Sequence, residues 1–351
     1  MQTVVPKRRL AFCVLWSILF ITSCGSKEKR EHEFPTEVPV YTEQEAQELF
    51  EISPEALFSE SDGEYDVHIW SKEQTGIGRP YGICALEDKV YVCDFDNNCV
   101  VELDVEGNRT ASYGELGAEP GNFTNPTAII RHNDLIYVLD QGNHRVQIFD
   151  KEMRFQEEVP YTGVYFERTV FMHDMAVDGN GTIYMSVWTN YVKDAAVYYI
   201  AENGKATPLE PHISGVLAEW EGEVYAANTF TLCYIGESRS QVNLLGNNFL
   251  LKCAGDGFDQ IAEFPYAYTP ADFCISNSRI YAISLSGEQL NLLTMDGQAE
   301  SAVCLFDRDE RDMTNFENEP ANYPFYLDVV DDDHIYAVDS LWKTVYYFEK
   351  K

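Results

Sequence analysis

Seven side chains of this 351-residue sequence have the types that could carry chemistry: Arg168, the adjacent His173 and Asp174, His212, Asp272, Tyr326 and Asp328. Carboxylates and imidazoles drawn to one point could hold a divalent cation or polarise a substrate carbonyl. No spacing among them repeats a metal-ligand motif, and no nucleophile elbow supports a Ser-His-Asp arrangement. The competing reading is structural, because such groups also satisfy strand ends and channel water. No residue is therefore assigned as catalytic, and neither a metal nor another cofactor is called for.

A second set is aromatic: Tyr165, Trp188, Tyr191, Tyr268 and Tyr323, with Tyr161, Phe166, Phe171, Tyr266 and Phe316 close to them in sequence. Rings on a rim give large contact area at low entropic cost and suit recognition of a protein, peptide or glycan. Glu167, Glu317 and Glu319 among them favour a basic partner. The alternative is that these rings cap a core.

What must position both sets is a repeat. Tyr91, Tyr137, Tyr184, Tyr225, Tyr281 and Tyr336 each sit in a short apolar run, at intervals of 46, 47, 41, 56 and 55 residues. Pro80, Pro126 and Pro270 stand eleven residues ahead of their tyrosines and Pro324 twelve ahead, each opening another apolar run. Polar turn residues such as His132-Asn133-Asp134 and Asp178-Gly179-Asn180-Gly181 separate the two runs, so each unit begins as an antiparallel hairpin. Third and fourth strands follow, for example Val100 to Asp104 and Arg109 to Tyr113. Six such units predict an all-β six-bladed propeller of four-stranded antiparallel blades.

The chain ends at Lys351, just after the third strand of the sixth unit, and an alternating segment from Tyr65 to Trp70 precedes the first. That segment is expected to supply the missing strand and close the ring, removing exposed edges. In such a ring the innermost strands line a channel. The segments leading into them meet at one mouth, where the seven residues above and the rim aromatics are expected.

The second unit, Ile136 to Asp150 with its Asp140-Gln141-Gly142-Asn143-His144-Arg145 turn, resembles an NHL repeat, as do Tyr113-Gly114-Glu115-Leu116-Gly117 and Gly121 to Pro126 before it. The first unit keeps Asp94 and Val100 but has Cys99 where Arg145 stands; the sixth keeps Asp339 and Val345 with Thr344 there. The resemblance covers roughly residues 80–150 and implies a fold more than a function. Asp140 and Arg145 are read as a pair that holds one blade together. Gluconolactonase-like propellers hold a metal on their axis, and that resemblance carries the alternative function of a metal-assisted hydrolase or lyase.

Lys7-Arg8-Arg9, the apolar run Leu10 to Ile21 and then Thr22-Ser23-Cys24-Gly25 read as a bacterial secretory signal with a lipobox, cut before Cys24, which carries the lipid. Residues 1–23 are the signal, 24–61 a charged spacer with a short helix near 43–51, and 62–351 the propeller. The formal net charge of −33 opposes binding to nucleic acid. The cysteines have no Cys-x-x-Cys pair; most are expected to be small buried hydrophobes, with a Cys93–Cys99 bridge left open. The expectation is a monomeric extracytoplasmic protein, lipid-anchored to a bacterial membrane, that binds or assembles an envelope protein, peptide or glycan without catalysis.

Overall fold

The computed structural model describes residues 40–42, 44, 64–164, 170–189, 196–209, 215–228, 231–235, 241–245, 249–264, 270–284, 289–304 and 325–351. Cys24, most of the spacer and nearly all of the expected 43–51 helix lie outside them. The described residues form six four-stranded antiparallel sheets arranged as a β-propeller, together with one small satellite sheet.

In chain order, β1 (Val40–Tyr41), β2 (Tyr65–Trp70) and the single-turn helix α1 (Lys72–Thr75) precede the first blade. Blade 1 comprises β3 (Pro80–Ala85), β4 (Val90–Asp94), β5 (Cys99–Leu103) and β6 (Arg109–Tyr113). Blade 2 comprises β7 (Pro126–His132), β8 (Leu135–Asp140), β9 (Arg145–Asp150) and β10 (Phe155–Pro160). Blade 3 comprises β11 (Val170–Val177), β12 (Ile183–Thr189), β13 (Ala196–Ile200) and β14 (Ala206–Pro208). Blade 4 begins with β15 (Gly215–Trp220) and β16 (Glu223–Asn228), then inserts the hairpin β17 (Thr231–Ile235) and β18 (Gln241–Leu245) before β19 (Phe249–Ala254) and β20 (Gly257–Glu263). Blade 5 is β21 (Pro270–Ser276), β22 (Arg279–Ser284), β23 (Gln289–Thr294) and β24 (Ala299–Cys304). Blade 6 is β25 (Phe325–Asp331), β26 (His334–Asp339) and β27 (Thr344–Lys350).

Blade 6 is completed by β2, which pairs antiparallel with β27 from Tyr65↔Lys350 to Trp70↔Val345. Trp70 fixes this closure, packing on Tyr336 and Tyr347 at ring-centroid distances of 5.9 Å each. It also crosses into blade 1, where a Cβ on Gly107 would lie 2.3 Å from its ring. The inserted hairpin accounts for the 56-residue interval from Tyr225 to Tyr281, because β16 still pairs directly with β19. The insertion forms the satellite sheet, to whose β17 strand β1 adds in parallel.

Burial falls from the middle of each blade outward. Every residue of β4 is buried, whereas β6 and β10 are largely exposed. Middle strands are covered on both faces by neighbouring blades and therefore read as continuous apolar runs, while outer strands meet water. The core is accordingly a set of wedges between blades rather than one centre.

The repeated tyrosine serves these wedges. Tyr91 and Tyr281 are fully buried, and their hydroxyls reach the following blade, donating to the Lys151 carbonyl and to Asp332 Oδ1 at 2.6 Å each. Cys84, Cys93, Cys99, Cys253 and Cys274 are free thiols, so Cys93 and Cys99 are not bridged. Burial pushes all five upward in pKa, that of Cys253 to about 12.

Candidate functional site

The innermost strand of each blade is a sheet edge, and half of its N–H groups point into the channel with no ladder partner. Buried N–H groups of this kind need acceptors. Three aspartates supply them with one repeated geometry. Asp174 on β11 accepts from Met175 N at 2.7 Å and, across to blade 4, from Leu217 N at 2.6 Å. Asp272 on β21 accepts from Phe273 N at 2.9 Å and from Leu327 N of blade 6 at 2.6 Å. Asp328 on β25 accepts from Val329 N at 2.9 Å and from Ala85 N of blade 1 at 2.7 Å. Each carboxylate thus joins the next residue of its own strand to the neighbouring blade.

These groups are hard to ionise. Burial pushes Asp174 up to about 7 despite its two N–H bonds. Asp272 is driven well above the carboxylate range, first by burial and then by the charge of Asp174. Asp328 is raised by burial, opposed by the Ala85 N–H bond and by Arg131. The Tyr326 hydroxyl is raised by burial and by Tyr81, Asp174 and Asp272, and its ring lies 5.7 Å from that of Tyr81.

A cavity of about 350 Å³ occupies the channel and is lined by the first strands of all six blades. It runs from the level of Asp174, Asp272 and Tyr326 to the end formed by the turns between first and second strands. There Arg131, Glu219 and Asn277 are exposed and Trp220 is half-buried. Four of the seven residues singled out in the sequence, Asp174, Asp272, Tyr326 and Asp328, therefore share one cavity. The backbone of His173 lies on β11, opposite Val187, and that of Trp188 on β12, opposite Met172; their side chains lie outside the described set. Arg168, His212, Tyr165, Tyr191, Tyr268 and Tyr323 also lie outside the described residues. Among the described residues, no three His, Cys, Asp or Glu side chains gather in a way that could hold a metal ion.

Arg131, Trp220 and Gly82 also line the cavity without having been singled out in the sequence. The signal for Gly82 is positional, since it stands two residues after Pro80 as Asp272 does after Pro270.

Asp140 and Arg145 lie away from the channel. Arg145 Nε donates to Asp140 Oδ2 at 2.8 Å, Nη1 to Glu158 Oε2 at 2.6 Å, and Nη2 to the Asn122 carbonyl at 3.0 Å. Asp140 also accepts from Thr124 N, Asn143 Nδ2 and Gln147 Nε2. In blade 1, where Cys99 replaces the arginine, Asp94 is satisfied instead by Gly78 N, Arg79 N and Asn97.

No family model matches the sequence. Protein brain tumor of Drosophila melanogaster is 40% identical over 70 residues, which is 19% of this chain and only 7% of the length of that relative. Virginiamycin B lyase from Staphylococcus aureus superposes with a TM-score of 0.50 at 11% identity, covering 82% of this chain and 100% of that one. A protein of unknown function from Bacteroides thetaiotaomicron VPI-5482 gives a TM-score of 0.52 at 14% identity, covering 82% of this chain and 76% of that one. At these identities the structural likenesses establish the six-bladed propeller and nothing of its chemistry.

Proposed function

We propose that this chain is a bacterial lipoprotein, cut before Cys24 and held outside the cytoplasm by lipid on that cysteine. Its NHL-like propeller acts as a monomeric, non-catalytic binding or assembly scaffold for an envelope protein, peptide or glycan. The observation that carries the non-catalytic part is the engagement of the channel carboxylates. Both oxygens of Asp174, Asp272 and Asp328 already accept backbone N–H groups. Groups so occupied serve the ring itself, and recognition falls to the rim aromatics Tyr165, Trp188, Tyr191, Tyr268 and Tyr323. The basic, apolar, small-residue order of residues 7–24 supports the anchor, and the acidic composition supports a partner other than nucleic acid.

The anchor is tested by metabolic labelling with an alkyne fatty acid: the label is expected on the native chain and lost in Cys24→Ser. Binding is tested by capture on intact cells, with Trp188, Tyr268 and Tyr323 replaced by Ala as the control.

A second reading, a hydrolase or lyase of gluconolactonase type acting in the channel, is favoured by one observation. Asp174 is lifted into the neutral range inside a cavity, as acid–base residues often are. Turnover of lactones that disappears with chelation, or with Asp174→Asn in a folded protein, would move the assignment to it.

A further inference from the structure

At the level of Asp174 and Asp272 the six inner strands present six equivalent N–H groups, those of Ile83, Ile129, Met175, Leu217, Phe273 and Leu327. Each belongs to the residue paired across its hairpin with the one that follows the repeated tyrosine: Val92, Val138, Met185, Ala226, Ala282 and Ala337. Asp174 takes the N–H groups of blades 3 and 4, and Asp272 those of blades 5 and 6. Threefold repetition would set a carboxylate between blades 1 and 2. The residue there is Gly82.

A Cβ on Gly82 would lie 2.7 Å from Ile129 N and 2.8 Å from Ala128 Cα, so the close approach of the two strands excludes a side chain. By the shared register the N–H groups of Ile83 and Ile129 face the channel. Among the described residues no acceptor outside the blade ladders reaches either of them. Gly82, Ile83, Ala128 and Ile129 all line the cavity.

In blades 3 to 6 the equivalent donors are taken by side-chain oxygens, so the pair at blades 1 and 2 calls for an oxygen acceptor brought in through the channel. The burial that makes Asp174, Asp272 and Asp328 in this channel hard to ionise disfavours an incoming anion as well, as does the net charge of −33, and both favour a neutral acceptor. A neutral acyl amide fits both sides: its oxygen accepts from the Ile83 and Ile129 N–H groups, and its own N–H donates to a lone pair that Asp174 or Asp272 keeps beside its two backbone bonds.

We propose that Gly82, Ile83 and Ile129 form a cradle for the amide oxygen of a small, uncharged acyl amide that enters from the turn end of the channel, past Arg131 and Trp220. An N-acetylated amino sugar and a capped peptide end share this chemistry. The cradle is argued from none of the rim aromatics and stands whether or not they bind a partner.

The test is an amide titration of the full mature propeller labelled with ¹⁵N-isoleucine, using N-acetylglucosamine, N-acetylglycinamide and acetate as probes. The Ile83 and Ile129 signals, assigned with Ile83→Val and Ile129→Val, are expected to move together and saturably with at least one amide. Which amide acts distinguishes a sugar from a peptide source, and acetate at neutral pH is expected to bind at least about tenfold more weakly. Gly82→Ala, where folded, is expected to weaken the response by about tenfold or more. Unmoved Ile83 and Ile129 signals with both amides, shifts confined to other isoleucines, or an undiminished response in folded Gly82→Ala would each overturn the proposal. If Gly82→Ala does not fold, the titration of the native protein decides.

Discussion

Asp272 of blade 5 holds the Leu327 N–H of blade 6 at 2.6 Å, while its other oxygen takes Phe273 N of its own strand. One side chain thereby satisfies two sheet edges and joins two blades. Asp272→Ala leaves both N–H groups without their acceptor and is expected to destabilise the propeller by about 1–3 kcal/mol. Asp272→Asn keeps one acceptor and should cost less. Urea unfolding measures both; an unchanged midpoint for the alanine variant would contradict the blade-joining role.

The same burial makes stability depend on pH. Asp174 titrates at about 7 in the folded chain, against about 3.9 when unfolded, and Asp272 and Asp328 are raised in the same direction. Between those values the folded chain retains protons that the unfolded chain has released. Stability should therefore fall as pH rises from about 4 to 7, the full cost being present above the folded pKa. At lower pH the trend reverses, because Glu102 and Asp331 are held below their ordinary values. Thermal melts from pH 4 to 8 should show this decline, and Asp174→Asn should flatten it. A variant with the native slope would remove Asp174 from the account.

Ring closure rests on Trp70, the last residue of β2, wedged between Tyr336, Tyr347 and Gly107. Trp70→Ala is expected to cost about 3–5 kcal/mol. Deletion of residues 62–72 should leave β27 an open edge and give an unstable or self-associating protein. Sedimentation and melting of the deleted form check this; a cooperative monomer would show that β2 is dispensable.

Arg145 and Asp140 form a buried pair away from the channel. Arg145→Ala is expected to cost about 3 kcal/mol, the low end for breaking such a pair, because Asp140 keeps the donors of Thr124, Asn143 and Gln147. Ligand binding should be unchanged once stability is restored by cooling. Loss of binding in the folded variant would give this pair a role beyond holding its blade.

The blade count was legible because the tyrosine recurs and each copy lies in an apolar run between turn residues. Closure by Tyr65–Trp70 was legible because an alternating segment stood outside the repeat while the last unit lacked a strand. The hairpin Thr231–Leu245 was not read, since inserted strands share the composition of blade strands and only the long interval after Tyr225 hints at them. The repeat brings Asp174, Asp272, Asp328 and Tyr326 to the channel but sets them at its mouth, whereas they lie within the inner strands and line the cavity. What their oxygens accept depends on which edge N–H groups face the channel, and that follows from hairpin register, which residue spacing leaves undetermined. Gly82 escaped notice because its importance lies in the side chain it lacks. Arg131 escaped because it stands beside the polar turn His132-Asn133-Asp134.

The most direct test of the account is cross-linking and affinity capture of the tethered protein on intact cells, run beside a form with Trp188, Tyr268 and Tyr323 replaced by Ala. The account predicts one envelope partner enriched by the native protein and lost with the altered rim, both forms melting alike. A partner retained by the altered form, or none captured by either, would contradict rim recognition and return the function to the channel.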